Sequence, residues 1–128
     1  MLFDTNKHTG NSGLALAIAY FVGEGYVVSV PLNDTQPYDL VVDMEDGLKK
    51  VSVKTTRTKS KYGVFIVSVC SCGGTNGKCY ARVINEDIDI LAAVTSEGDI
   101  YIIPKAKIRN TKVMYLGKKY AEYKKTLL

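Results

Sequence analysis

The stretch PYDLVVDMEDGLKKVSVKTT, residues 37–56, decides how the chain is read. Tyr38–Asp43 is an apolar run of strand length, and Leu48–Thr55 alternates through Val51 and Val53, as a half-buried strand does. MEDG between them has the composition of a hairpin turn. In the second strand Ser52 and Lys54 share one face and Val51 and Val53 the other, because side chains two apart point the same way. Asp39, at the start of the first strand, lies across the hairpin and can approach Lys54. A carboxylate, a hydroxyl and an ammonium at one sheet edge suit Mg²⁺ and a phosphate, since magnesium takes oxygen ligands and keeps several waters. The same pair is also what a surface salt bridge between neighbouring strands looks like.

Working outward, TGNSGLALAIAYFVGE (residues 9–24) reads as a helix capped by Asn11 or Ser12, with Leu14, Ile18 and Phe21 or Val22 as its buried stripe. Tyr26–Pro31 reads as a strand and NDTQPY as a loop. After the hairpin come the basic loop RTKSKYG, a strand over Val64–Cys70 and the glycine-rich loop CGGTNGK. Ile88–Val94 and Ile100–Ile103 form a further strand pair, Pro104 opens a short helix or turn, and Tyr120–Lys125 is a small terminal helix. The order predicts an α/β fold with a mixed central β-sheet flanked by helices, in one domain spanning residues 1–128.

Charge is segregated. The net charge is only +4, but from Gly47 to Arg82 there are Lys49, Lys50, Lys54, Arg57, Lys59, Lys61, Lys78 and Arg82 and no acid. From Pro104 onward only Glu122 opposes a second basic group. Such faces suit a polyanion, because lysine and arginine displace condensed counterions from phosphates; they also simply keep a protein soluble. The 3 cysteines, Cys70, Cys72 and Cys79, are too few for a disulfide framework and one short of a usual zinc set, so reduced thiols are expected. No apolar run reaches the ~20 residues of a membrane span. The chain is expected to be cytoplasmic, without a signal peptide.

The ordered set GNSGLALAIAYFVGEGYVVSVPLNDTQPYDLVVD, KKVSVKTT and DIDILAAVTSEGDIYIIPKAKI resembles the PD-(D/E)XK nuclease superfamily. Within it, the likeness is to small endonucleases that include group I intron homing enzymes and are related to archaeal Holliday junction resolvases. The resemblance runs over roughly residues 9 to 108 and implies a restriction-endonuclease-like core and metal-dependent cleavage of DNA. Position by position, Asp39 matches the family's first-strand aspartate and Lys54 its lysine. Ser52 stands where the family has a glutamate or glutamine. Leu14, after Gly13, stands where it has a helix glutamate. The resemblance thus implies catalytic residues Asp39, Ser52 and Lys54, with Mg²⁺ or Mn²⁺ on Asp39, Ser52, a carbonyl near Val53 and water. Asp43 or Asp34 is a possible second acid. Gln36, Arg57, Lys59, Lys61, Lys78 and Arg82 are the implied DNA contacts, and cutting both strands implies a homodimer or homotetramer. The Leu14 and Ser52 departures leave a second reading, an inactive nuclease-fold module that binds DNA or a protein.

Overall fold

The computed structural model describes residues 5–69, 87–108 and 112–127. The chain runs α1 (Asn6–Gly23), β1 (Val27–Ser29), β2 (Leu40–Met44), β3 (Gly47–Thr56), β4 (Ile66–Ser68), β5 (Ile90–Thr95), β6 (Asp99–Pro104), a 3-10 turn (Lys105–Lys107), β7 (Val113–Tyr115), a longer 3-10 stretch (Lys118–Tyr123) and β8 (Lys124–Thr126). Six strands form one sheet in the order β1-β2-β3-β5-β6-β8, and β4 pairs with β7 separately. The β3–β5 ladder is parallel and the other ladders of the large sheet are antiparallel.

The hairpin forms where it was expected. Met44 pairs with Gly47, and Gly47 takes a φ of 125°, a backbone conformation that only glycine adopts without strain. β5 is buried along its whole length. That is why ILAAVT is continuously apolar up to its last residue, for a central strand is covered on both faces. On one face Leu40, Val42, Val51, Ile90, Ala92, Val94 and Ile100 pack under Ala17 and Phe21 of α1. On the other, Leu91, Ala93, Tyr101 and Ile103 pack against Phe65 and Val67, around β4, and Met114 and Leu116, around β7.

Three expectations need correction. The helix begins at Asn6, capped by Thr5, whose hydroxyl accepts from the His8 amide; Asn11 and Ser12 therefore lie inside it. Its deepest stripe is Thr9, Gly13, Ala17 and Phe21, while Leu14 and Ile18 are half-buried and Val22 is 55% exposed. Small residues win this position because α1 lies very close to β3. A Cβ on Gly13 would stand 1.9 Å from Thr55 Oγ1. Finally, α1 is the sole α-helix among the described residues; the expected terminal helix is the 3-10 stretch Lys118–Tyr123, followed by β8. The second face is covered by the β4–β7 pair instead of by helices.

Candidate active site

β2 and β3 part company at Asp39. The last ladder pair is Leu40 with Val51. One residue further on, the Asp39 amide donates to the Val51 carbonyl at 2.8 Å. The next β3 amide, Val53, donates to Asp39 Oδ2 at 2.7 Å. The carboxylate thus takes the place of the main-chain acceptor that β2 no longer supplies. This fixes its orientation and leaves Asp39 exposed at the mouth of a cleft.

That cleft is a cavity of about 450 Å³ between α1 and β3. Thr9, Gly10, Asn11 and Leu14 form its helix wall, and Asp39, Val53, Lys54 and Thr55 its sheet wall. Asp39 and Lys54 both line this cavity, while in the ladder Lys54 pairs with Ala93 and shares the β4–β7 face of the sheet with Ser52, opposite the face under α1. Asp39 and Lys54 do not form a salt bridge: among the described residues neither belongs to an ion pair. The Asp39 carboxylate is instead held by the Val53 amide, which ties β2 to β3 at the point where the ladder ends.

Ser52 sits differently. It pairs in register with Leu91, is 3% exposed and does not line the cavity. Leu14 does line it, so the helix wall presents an apolar side chain there. Asp43 is exposed on β2 opposite Leu48, and four strand residues separate it from Asp39 by ~13 Å. That is too far for both to ligate one ion. Asp34 is exposed in the loop before Asp39.

The polar candidates are placed as follows. Gln36 Nε2 donates to the Tyr38 carbonyl at 3.3 Å and so braces the approach to Asp39. Arg57 is exposed just beyond the end of β3. Lys59 pairs with Glu97, in the β5–β6 turn, and its ammonium lies 4.8 Å from the centre of the Phe65 ring. Lys61 is exposed, 5.1 Å from the Tyr62 ring centre. Lys78, Arg82 and the cysteines Cys70, Cys72 and Cys79 lie outside the described residues.

Two cavity residues were not anticipated. Asn11 was read as a cap and Gly10 had no assigned role. Both are poor helix formers, yet they stand in the interior of α1, facing the cleft. A Cβ on Gly10 would meet nothing within 4 Å, so packing does not demand glycine there. That mismatch between propensity and position was the available signal.

The donor set can be weighed against a metal ion. Among the described residues no three His, Cys, Asp or Glu side chains gather as a metal group. Among the described residues Asp39 is the one carboxylate on the cavity wall, beside the neutral oxygens of Thr9, Asn11 and Thr55. Oxygen donors with a single carboxylate fit a hard ion of the magnesium type, which is commonly held by one or two carboxylates, water and substrate phosphates.

Comparison with known proteins follows this geometry. A family model described as PD-(D/E)XK endonuclease matches residues 4–127. Among solved structures, the chain is similar to a bacterial homing endonuclease, I-Ssp6803I, at 27% identity and a TM-score of 0.69, over 89% of this chain and 79% of that one. No curated protein sequence matches. No helix among the described residues is long and apolar enough to cross a membrane.

Proposed function

The chain belongs to the PD-(D/E)XK endonuclease family, and from that premise we propose that it hydrolyses DNA phosphodiesters in the cavity between α1 and β3, using Mg²⁺ or Mn²⁺. The observation that carries the reading is the pair Asp39 and Lys54, both on the cavity wall and neither in an ion pair among the described residues.

Each residue has a definable task. Asp39 holds the ion through its carboxylate, which the Val53 amide fixes at 2.7 Å. An ion held there would supply Lewis-acid polarisation of the phosphate and would make water more acidic. Lys54 places a positive charge where negative charge grows on the phosphoryl oxygens, and a preorganised charge acts more strongly in a cleft than in bulk water. Gln36 keeps the loop before Asp39 in place through its bond to Tyr38. Arg57 and Lys61, exposed on the loop after β3, give sequence-independent phosphate contacts. Ser52 keeps its family position beside Asp39, but its hydroxyl is buried, so it joins the ligand set only through a local rearrangement. One site per chain cuts one strand at a time, and paired cuts take a homodimer or homotetramer.

Leu14 favours a second reading. An apolar side chain on the cavity wall in place of a carboxylate is what a binding module derived from a nuclease would show. One experiment separates the two. Supercoiled plasmid and a synthetic four-way junction are incubated with the protein in Mg²⁺ or Mn²⁺, beside Asp39→Ala and Lys54→Ala. Metal-dependent cutting that both variants lose establishes the nuclease. DNA binding without cutting, retained in both variants, establishes the module.

A further inference from the structure

We propose that Asn11 is the second protein ligand of the metal site, its carboxamide oxygen facing Asp39 from the helix side of the cavity. The inference rests on the reading of that cavity as the catalytic centre.

Thr9 Oγ1 is committed to the Thr5 carbonyl at 2.7 Å, and Leu14 has no polar atom. Asn11 is exposed and lines the same cavity as Asp39, Val53 and Lys54. Among the described residues its carboxamide has no hydrogen-bond partner. Asparagine is a poor helix former because its side chain competes for local backbone groups. Here it caps nothing, since Thr5 caps α1. Its neighbour Gly10, also on the wall, has open space beside it, which leaves room for an ion and its waters next to the carboxamide.

The chemistry fits the electrostatics. Carboxamide oxygens are hard ligands of the kind that magnesium, calcium and manganese accept. With Lys54 already on the wall, one carboxylate leaves the protein side of the site neutral, so a neutral oxygen adds coordination without adding charge. The ion is then bound weakly until phosphate arrives.

The test reads metal binding directly, without DNA and without turnover. Mn²⁺ is titrated into the intact chain and followed by water-proton relaxation. Four variants are compared: Asn11→Ala, Asn11→Asp, Asp39→Ala and Ala15→Glu. The last places a new acid on an exposed position of α1 that does not line the cavity. Asn11→Ala is expected to weaken Mn²⁺ several-fold without lowering thermal stability. Asn11→Asp is expected to tighten it about tenfold, clearly more than Ala15→Glu. Unchanged affinity in Asn11→Ala overturns the inference, and so does an Asn11→Asp gain no larger than that of Ala15→Glu, which would be long-range attraction. If Asp39→Ala binds as the parent does, the catalytic reading of the cavity fails and Asn11 falls with it; a parent that binds no Mn²⁺ at millimolar metal without DNA overturns the Asn11 inference alone. Loss in Asp39→Ala but not in Asn11→Ala removes Asn11 alone.

Discussion

Replacing Gly13 by alanine separates two effects that usually act together. In a solvent-facing helix interior, glycine to alanine stabilises by ~1 kcal/mol through propensity. At Gly13 the new methyl would lie 1.9 Å from Thr55 Oγ1 and 2.9 Å from both Thr55 Cβ and Cγ2. Rotating Thr55 can remove the first contact but not the contact with Cβ, which is fixed to the backbone of β3. Carbon atoms rest ~3.5–4.0 Å apart, so α1 must move off the sheet by roughly half an ångström or more. Overpacking of this kind costs ~1–3 kcal/mol, which exceeds the propensity gain in most of its range. The expected net loss is ~0–2 kcal/mol, centred near ~1 kcal/mol, or a Tm lower by ~4 °C at that centre for a chain of this size. Thermal unfolding of Gly13→Ala is measured beside Gly10→Ala, where a Cβ meets nothing within 4 Å and Tm is expected to rise. Thr55→Ala in the Gly13→Ala background should restore part of the loss by removing the hydroxyl and methyl. If Gly13→Ala gains stability as Gly10→Ala does, the helix is not held against β3 by that close approach, and the account of the small-residue stripe is wrong.

Other expectations follow from single contacts. Asp39→Asn keeps an oxygen for the Val53 amide and should leave Tm nearly unchanged while abolishing cutting. Asp39→Ala removes that acceptor and should cost ~1 kcal/mol; equal melting of the two variants would show that the hydrogen bond carries no stability. Lys59 reaches a phosphate only by leaving Glu97, so Glu97→Gln should tighten DNA binding and steepen its log–log salt dependence by ~0.9, the share of one released counterion. An unchanged slope would exclude Lys59 from the interface. The hydrogen bond and charge of Asp99 hold the Lys124 ammonium above its ordinary pKa of 10.5. The resulting stabilisation of the β6–β8 edge is present below that value and lost as pH rises through the folded-state pKa. Lys124→Met should therefore melt with a shallower alkaline decline than the parent, and identical declines would remove the contribution.

The hairpin and its consequences were readable because several local signals agreed. Alternation through Val51 and Val53, the turn at MEDG and the position of Asp39 each predicted the β2–β3 hairpin, and Asp39 and Lys54 both line the cavity beside it. The continuous burial of β5 was equally plain from its apolar run. The helix stripe was misplaced by one position because large apolar residues were taken as the buried ones. What sets the stripe is the close approach at Thr55, a tertiary contact that favours Gly13 and Ala17 over Leu14 and Ile18. β7 and β8 are three residues each and were missed, since their pairing depends on distant partners, β4 and β6. The burial of Ser52 was hidden for a related reason. Alternation shows which face a residue is on, and only the β4–β7 layer, unseen in the sequence, shows that this face is covered.

If the cavity is catalytic, its composition bears on how a nuclease can operate with one cavity carboxylate among the described residues. A second acid on the helix wall would raise metal affinity in the free protein, but it would also repel the incoming phosphate. Here Leu14 removes that repulsion and Lys54 offsets Asp39, so the wall itself carries no net charge. The scissile phosphate then brings both the missing negative charge and the missing oxygen ligands. Metal and DNA affinities become linked, each strengthening the other by the same factor, because binding free energies are reciprocal. On the same reading, the exposed Arg57 and Lys61 beyond β3 would act on this balance from outside, drawing the backbone towards a cleft that would hold its ion only weakly alone. On the proposed reading, the apolar Leu14 and buried Ser52 would do more than subtract ligands: they would move part of the metal-binding energy onto the substrate, so that the ion would be held firmly only where a phosphate is present.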